Sequence, residues 1–246
     1  MTRPSIVGHR GLCIEPENTL KAFKKAIEMK VDMIELDVRL TRDKVPIVMH
    51  DDDVDRTTNG RGKVCEMSLK EIKKLDAGDG EQVPTLQEVI DLAKGKTKML
   101  VELKSYGAIK PVAKIIKSNQ IEDSVVVASF GHIISKAFKK MLPEVKTGIQ
   151  VVSLPIDPLK MVYDANADYL ISFYETLLAG SLFYKKIIKQ ANKKSINVLA
   201  AEVDCKSTVS SADIKQLTKL GVNGFILNNP GIAIKHFEPK KKMGFW

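Results

Sequence analysis

Four short stretches carry side chains that could act together on a charged substrate. In residues 33–38, Glu35 and Asp37 alternate with Ile34, Leu36 and Val38, so both carboxylates share one face of a predicted strand. A second apolar run, 45–49, ends at His50. Gly8-His9-Arg10-Gly11 closes a short apolar run at the N-terminus, and the strand pattern at 99–103 places Glu102 just before Leu103-Lys104. Two carboxylates on one buried face repel each other. A divalent cation would remove that repulsion and take their oxygens as ligands. Each stretch alone has a plainer reading: a wet strand face, a structural histidine, a surface ion pair. Jointly the plain readings fail, because charged groups are rarely set inside a packed fold without a use.

The residue types define a chemistry. Three carboxylates, Glu35, Asp37 and Glu102, suit a hard cation such as Mg²⁺ or Ca²⁺, with Mn²⁺ as a third option. His9 and His50 can exchange protons near neutral pH. Arg10 and Lys104 can hold an anion, and a guanidinium grips phosphate oxygens in pairs. No Ser, Cys or Thr stands beside a base as an obvious nucleophile. Water, or a hydroxyl of the substrate itself, would have to attack. The set points to phosphoryl chemistry without a nucleotide, and no Gly-x-Gly-x-x-Gly or P-loop is present.

These residues need elements that bring them together. Residues 40–44 are too few for a parallel crossover, so the two strands around them are predicted as an antiparallel hairpin. A turn centred on Asp43-Lys44 would set Asp37 across from His50. Pro46 makes the return strand an edge strand. Residues 51–83 are rich in Gly, Asp, Thr and Lys, with one helical pattern at 68–75 opened by Ser68 and Glu71 at capping-box spacing. They are predicted as a small inserted lobe. From Pro84 onward strand and helix patterns alternate. Strands are expected at 99–103, 124–129, 147–152, 167–172, 196–203 and 223–227, and a single helix at 179–192. With residues 5–9 and the helix at 20–29 this makes eight βα units. Near-continuous apolar runs such as Ser124-Val125-Val126-Val127-Ala128-Ser129 fit a parallel sheet buried on both faces. The predicted fold is a TIM (β/α)8 barrel, with an open doubly wound sheet as the runner-up. In a barrel all the residues above lie at the C-terminal strand ends, where barrel sites form.

Length and composition agree. The chain has 246 residues, 44% hydrophobic, which suits one barrel domain over 1–246. No run reaches the roughly 20 apolar residues of a membrane span, and the N-terminus lacks a signal-peptide core. Cys13, Cys65 and Cys205 are odd in number and scattered. They are expected as reduced thiols in a cytoplasmic protein. The net charge of +9 is spread over lysines as a solubilising surface, without a nucleic-acid-binding signature. Residues 240–246, basic then aromatic, are expected as a disordered end.

The sequence resembles the glycerophosphodiester phosphodiesterase family. The resemblance rests on Gly8-His9-Arg10-Gly11, Pro16-Glu17-Asn18-Thr19, Glu35-Leu36-Asp37-Val38 with Leu40-Thr41, and His50-Asp51 with Arg56-Thr57-Thr58, Gly60 and Gly62. It continues through Leu75-Asp76, Val83-Pro84-Thr85-Leu86, Glu102-Leu103-Lys104, Ser129-Phe130 and Gly221-Val222, in family order along almost the whole chain. The resemblance implies a barrel with a lobe after His50, metal ligands Glu35, Asp37 and Glu102, an acid/base pair His9 and His50, and phosphate binding by Arg10 and Lys104. The implied partner is a small glycerophosphodiester, cleaved to glycerol phosphate and an alcohol. Three departures stand out. Ala201 replaces a frequent tryptophan, Leu227-Asn228 replaces the usual Thr-Asp, and the spacer 12–15 is a residue or so short. Glu202 could meet the leaving alcohol or lie solvated at the rim. The alternative is a lipid-cleaving barrel, similar to sphingomyelinase D-like or phosphoinositide phospholipases. A non-catalytic phosphate-ester binder fits poorly with both histidines in place.

Overall fold

A computed structural model describes residues 3–152 and 157–238. Strand β1 (Ser5–Gly8) leads to helix α1 (Leu20–Glu28), which returns the chain so that β2 (Met33–Leu40) lies parallel to β1. Thr19 caps α1, its hydroxyl accepting from the Ala22 amide, and Ala22, Phe23 and Ala26 form the buried stripe. β3 (Pro46–Val48) runs antiparallel to the far end of β2. After the short helix α2 (Leu69–Ile72) and α3 (Leu86–Ala93), the βα alternation becomes regular. It runs through β4 (Lys98–Leu103), α4 (Ile109–Asn119), β5 (Val125–Ser129), α5 (His132–Met141), β6 (Lys146–Val151), α6 (Pro158–Ala165) and β7 (Tyr169–Phe173). Then follow α7 (Tyr174–Ala179), α8 (Ser181–Lys193), β8 (Asn197–Ala201), α9 (Ser211–Leu220), β9 (Gly224–Leu227) and α10 (Gly231–Phe237). The helix expected at 179–192 is α8, and the short α7 before it, capped by Gly180, was not expected.

Strands β1, β2 and β4–β9 are parallel neighbours in a closed ring, sealed by β1 pairing with both β9 and β2. This is the predicted TIM barrel. Alternate residues divide between two cores. Val7, Met33, Leu100, Val126, Ile171, Leu199 and Ile226 fill the barrel, while Ile34, Leu36, Val101, Leu103 and Val127 face the helices. Burial on both faces explains the near-continuous apolar strands.

The hairpin register differs from the expected one. Val38 pairs with Val48 and Leu40 with Pro46, and the Met49 amide donates to the Asp37 carbonyl at 2.9 Å, so Met49 and not His50 stands opposite Asp37. The cause is the turn. Lys44 has φ 62° and closes a three-residue loop, 42–44, bounded by a bond from the Thr41 amide to the Val45 carbonyl. His50 lies just past the strand. In segment 51–83, Val54, Val64, Ile72, Ala77 and Val83 cluster with Ile47 and Met49 of the hairpin, and Ser68 and Glu71 form the expected capping box.

The three cysteines are not three separate thiols. Cys13 and Cys205 form a disulfide with Cα atoms 5.4 Å apart, and Cys65 is free and exposed. Sequence spacing hides the pair, because 192 residues separate them. The fold brings them together, since only β9 stands between β1 and β8, and the loops after those strands meet at the rim. The expectation of a reducing, cytoplasmic compartment rested on separate thiols, and this bond removes that basis. Reduction, or Cys13→Ser with Cys205→Ser, is expected to destabilise the fold by about 2–5 kcal/mol, the usual range for so long a closed loop. At this chain length that is a fall in Tm of roughly 4–20 °C. Superimposable melts with and without reductant would show that the bond contributes nothing. Among the described residues no helix is long and apolar enough to cross a membrane. Residues 240–246 lie outside the described residues.

Candidate active site

The chain turns sharply out of β1 to place the first two of the residues singled out in the sequence. A Cβ on Gly8 would sit 2.2 Å from the Gly11 carbonyl oxygen, so the turn admits only glycine there. Gly11 has φ +83° against the backbone of α1. Between them Arg10 takes φ 49°, a conformation that costs free energy for a non-glycine residue. That geometry aims the Arg10 amide at Glu35 Oε2, 2.9 Å away, and buries both His9 and the Arg10 side chain.

β2 and β4 are direct neighbours, with Asp37 beside Glu102 in register. Glu35, Asp37 and Glu102 are all buried, and one oxygen from each lies within 4.8 Å of the others. Each carboxylate has a fixed polar partner. Asn18 Nδ2 donates to Asp37 at 2.8 Å, and Gln150 Nε2 to Glu102 at 3.0 Å. Lys104 Nζ reaches into the cluster, 2.8 Å from Asp37 and 2.5 Å from Glu102, and Arg10 Nε is 3.5 Å from Asp37.

The electrostatics follow. Burial, then the Asp37 and Glu102 charges, pushes the Glu35 carboxyl well above the usual carboxylate range. Glu102 is raised by burial and Asp37, against the pull of Lys104. Burial works the same way on Asp37, but Lys104, Arg10 and His50 outweigh it and hold that carboxyl low. Burial, with the Arg10 charge behind it, lowers His9 to about 4. His9 Nδ1 faces Asn228 Oδ1 at 2.6 Å.

His50 stands in a second network. Its Nδ1 is 2.7 Å from Asp51 Oδ1, and Arg56 binds Asp51 through Nε at 2.6 Å. Arg56 also grips Glu17 with two nitrogens at 2.8 and 2.9 Å, and Glu17 in turn accepts from Arg10 at 2.8 Å. A continuous chain of charges therefore joins the lobe side of the site to its centre. His9, Arg10, Glu35, Asp37, His50 and Glu102 all line one cavity of about 580 Å³, counted to its open mouth. The rest of its wall is mixed, with apolar Phe130, Ile171, Phe173 and Val203 beside Gln150, Ser172 and Glu202. Lys104 meets this group from below, through the two carboxylates.

All seven residues singled out in the sequence thus converge. Others were missed. Asn18 and Glu17 sit in a motif legible as a helix start, and nothing marked them as partners of Asp37 and Arg10. Asp51 and Arg56 belong to the family-like pieces without a role. Gln150, inside an apolar strand, had no signal beyond its polarity. Glu202 is not solvated at the rim but is set in the cavity wall. It is buried and accepts the amides of Val209, at 2.6 Å, and Asn228.

Residues 9–232 match the glycerophosphoryl diester phosphodiesterase family. The chain belongs to that family. It is accordingly an enzyme, a phosphoric diester hydrolase. A glycerophosphodiester phosphodiesterase of Caldanaerobacter subterraneus is 36% identical over 93% of this chain and 96% of its own. The crystal structure of a glycerophosphodiester phosphodiesterase from Agrobacterium tumefaciens is 26% identical, with a TM-score of 0.79 over 94% of this chain and 98% of that one. A phosphodiesterase of Oleispira antarctica, solved with the product sn-glycerol-3-phosphate, shares the fold at 24% identity, with a TM-score of 0.85 over 96% of this chain and 97% of that one. The family's barrel, the acidic cluster and the cavity beside it therefore coincide in one molecule.

Proposed function

We propose that the enzyme cleaves glycerophosphodiesters to glycerol phosphate and an alcohol, with a divalent cation at Glu35, Asp37 and Glu102. The observation that carries this is the cluster itself: three buried carboxylates at ligand spacing in a cavity that also holds both histidines. The donor set fits a hard cation, because all three ligands offer oxygen and their mutual repulsion is only partly met by Lys104. Such an ion would supply positive charge to the phosphate and to the attacking oxygen. The product complex of the Oleispira relative supports glycerol phosphate as the recognised half.

The chain's own residues do the rest. Arg10, buried and held by Glu17, presents a fixed cation to the phosphate oxygens. Lys104 adds a second once an ion shares its carboxylate partners. His9 carries a neutral amide partner and His50 a carboxylate, so the rings are set differently: His9 to take a proton first, His50 to give one. The attacking group is the substrate's own 2-hydroxyl. His9 removes its proton, a cyclic glycerol phosphate forms, and the alcohol leaves with a proton from His50. Water then opens the ring with the roles reversed. Segment 51–83 serves this site as a lobe, since Asp51 and Arg56 fix His50.

With recognition placed on the glycerol phosphate half, choline, ethanolamine and glycerol diesters are expected to turn over within about tenfold of one another, some 1.4 kcal/mol. The deciding substrate is a 2-deoxy analogue that keeps the diester. It should release no product under conditions where the parent is consumed. Equal rates for analogue and parent would exclude internal attack and leave water as the nucleophile.

One observation favours a second reading, cleavage of lipid diesters. Ile14, Ile133 and Val152 follow the C-terminal ends of β1, β5 and β6 and are 69%, 70% and 62% exposed, an apolar edge near the mouth. Faster release from lysophospholipid vesicles than from water-soluble diesters would favour it.

A further inference from the structure

Asn228 follows β9 and is almost fully buried. The two ends of its amide are distinguished by what they face. Nδ2 lies 2.6 Å from the Asp204 carbonyl and 2.7 Å from the Ser207 carbonyl. Carbonyls only accept, so this end is the NH₂ and donates to both. The opposite end, facing His9 Nδ1, is therefore the oxygen, which only accepts. Cys13 Sγ is also near that oxygen, at 3.2 Å, but it is bonded to Cys205 and has no hydrogen to give. The hydrogen between Asn228 and His9 must come from Nδ1.

We infer that Asn228 is a positioning residue that fixes His9 as the Nδ1–H tautomer and leaves Nε2 as the nitrogen that exchanges protons with substrate. The inference rests on the proposed acid/base role of His9 and deepens it. A free imidazole favours hydrogen on Nε2, the form in which that nitrogen cannot take a proton. The amide reverses this preference in the ground state, before any substrate arrives.

Asn228 is held through both its main chain and its side chain. The Glu202 carboxylate accepts the Asn228 amide N–H and, through its other oxygen, the Val209 N–H, tying β9 to both ends of the 202–209 loop. The Asn228 carbonyl accepts the Cys13 N–H at 3.1 Å. Within the loop, Ser207 Oγ accepts from Val203 N and Asp204 Oδ1 accepts from Ser207 N, presenting the two carbonyls that read the amide. The Cys13–Cys205 bond then pins this loop to the turn that carries His9. A flipped amide would lose both donated bonds and set its oxygen against two carbonyls. The buried carboxylate Glu202 thus acts at second remove, through Asn228, on the proton of His9. Burial and Arg10 lower His9, which keeps the ring neutral so that the tautomer matters.

The test uses full-length, Mg²⁺-loaded enzyme labelled with ¹⁵N-histidine. The chain has four histidines, so His9→Gln assigns the His9 signals by their loss. In the wild type, His9 should show a pyrrole-like Nδ1 and a pyridine-like Nε2. Asn228→Leu should move hydrogen to Nε2 and lower kcat by about 10–100-fold, the scale for outer partners of functional histidines. KM should stay within about twofold. Asn228→Asp, which keeps an acceptor towards Nδ1, should recover part of that loss. A wild-type His9 protonated on Nε2 would overturn the inference, and this measurement needs no variant to fold. So would a folded Asn228→Leu enzyme with unchanged tautomer and kcat. If His9→Gln is inactive in either case, the acid/base reading stands and only the role of Asn228 falls. If His9→Gln is fully active, both fall.

Discussion

Removal of divalent cations is expected to abolish turnover of glycerophosphodiesters, and Mg²⁺, Ca²⁺ or Mn²⁺ to restore it. The expectation rests on Glu35. Its folded carboxyl is raised above the ordinary value by burial and by two neighbouring carboxylates. The metal-free fold therefore binds more protons at this site than the unfolded chain does. By linkage, the stability this contributes is fully present below the unfolded value near 4.5 and is lost as pH rises through the folded value. A cation competes with that proton, so its binding strengthens with pH. Added Mg²⁺ should raise Tm more at pH 8 than at pH 5. At a hundredfold excess over Kd the stabilisation is about 2.7 kcal/mol. Glu35→Gln should bind the ion far more weakly while melting, without metal, at or above the wild type. Undiminished turnover by chelator-treated enzyme, shown metal-free by elemental analysis, would remove the cation from the mechanism.

Replacement of either histidine should nearly silence the enzyme while sparing its fold. His9→Ala and His50→Ala should each lower kcat by at least about 10²-fold, the scale of a positioned acid or base. The double variant should be little worse than either alone, because the two act as a unit. The pH–rate curve should be bell-shaped, with its acid limb below the ordinary histidine value, since His9 is lowered from 6.5 to about 4. The same shift has a stability consequence. Between those values the unfolded chain binds the proton and the folded chain does not, so stability falls as pH drops from 6.5 towards 4 and is fully present above. His9→Ala should flatten that slope. Turnover near the wild-type rate in His50→Ala would reassign this residue to holding Asp51 and Arg56.

Much of this site was legible in the sequence because barrels impose a rule. Ionisable residues near the C-terminal ends of apolar strands have one rim to occupy, so His9, Glu35, Asp37 and Glu102 could be placed together from strand patterns alone. What failed depended on local turn geometry or on distant contact. The His50 register was off by one because the left-handed Lys44 lengthens the loop, and no periodicity records that. The Cys13–Cys205 pair was invisible because spacing says nothing about which loops share a rim. Lys104 was read as free to hold phosphate. Its proximity to Asp37 and Glu102 follows from parity past the end of β4, which puts 102 and 104 on one face, and it joins the proposed cation ligands and a proposed phosphate contact in one cluster. Gln150 and Asn228 are read through partners on β4 and just after β1, which no local pattern names.

The seam of the barrel has a consequence for how the enzyme is made. β1 is completed by β9, with Ser5 beside Gly224 and Gly8 beside Leu227, and the His9 amide donates to the Leu227 carbonyl at 2.9 Å. The ribosome therefore releases His9 well before β9, the strand that seats it. Until then β1 has one unpaired edge, open to other chains or to a chaperone. Closing so long a loop carries an entropic cost, but a slowly growing one, about 0.6 kcal/mol per doubling of length. A nascent or prematurely terminated chain lacking β9 has no partner for His9 and no ring to hold the carboxylates. It should hydrolyse nothing, so abortive translation would yield debris for proteolysis and not a stray, unselective esterase.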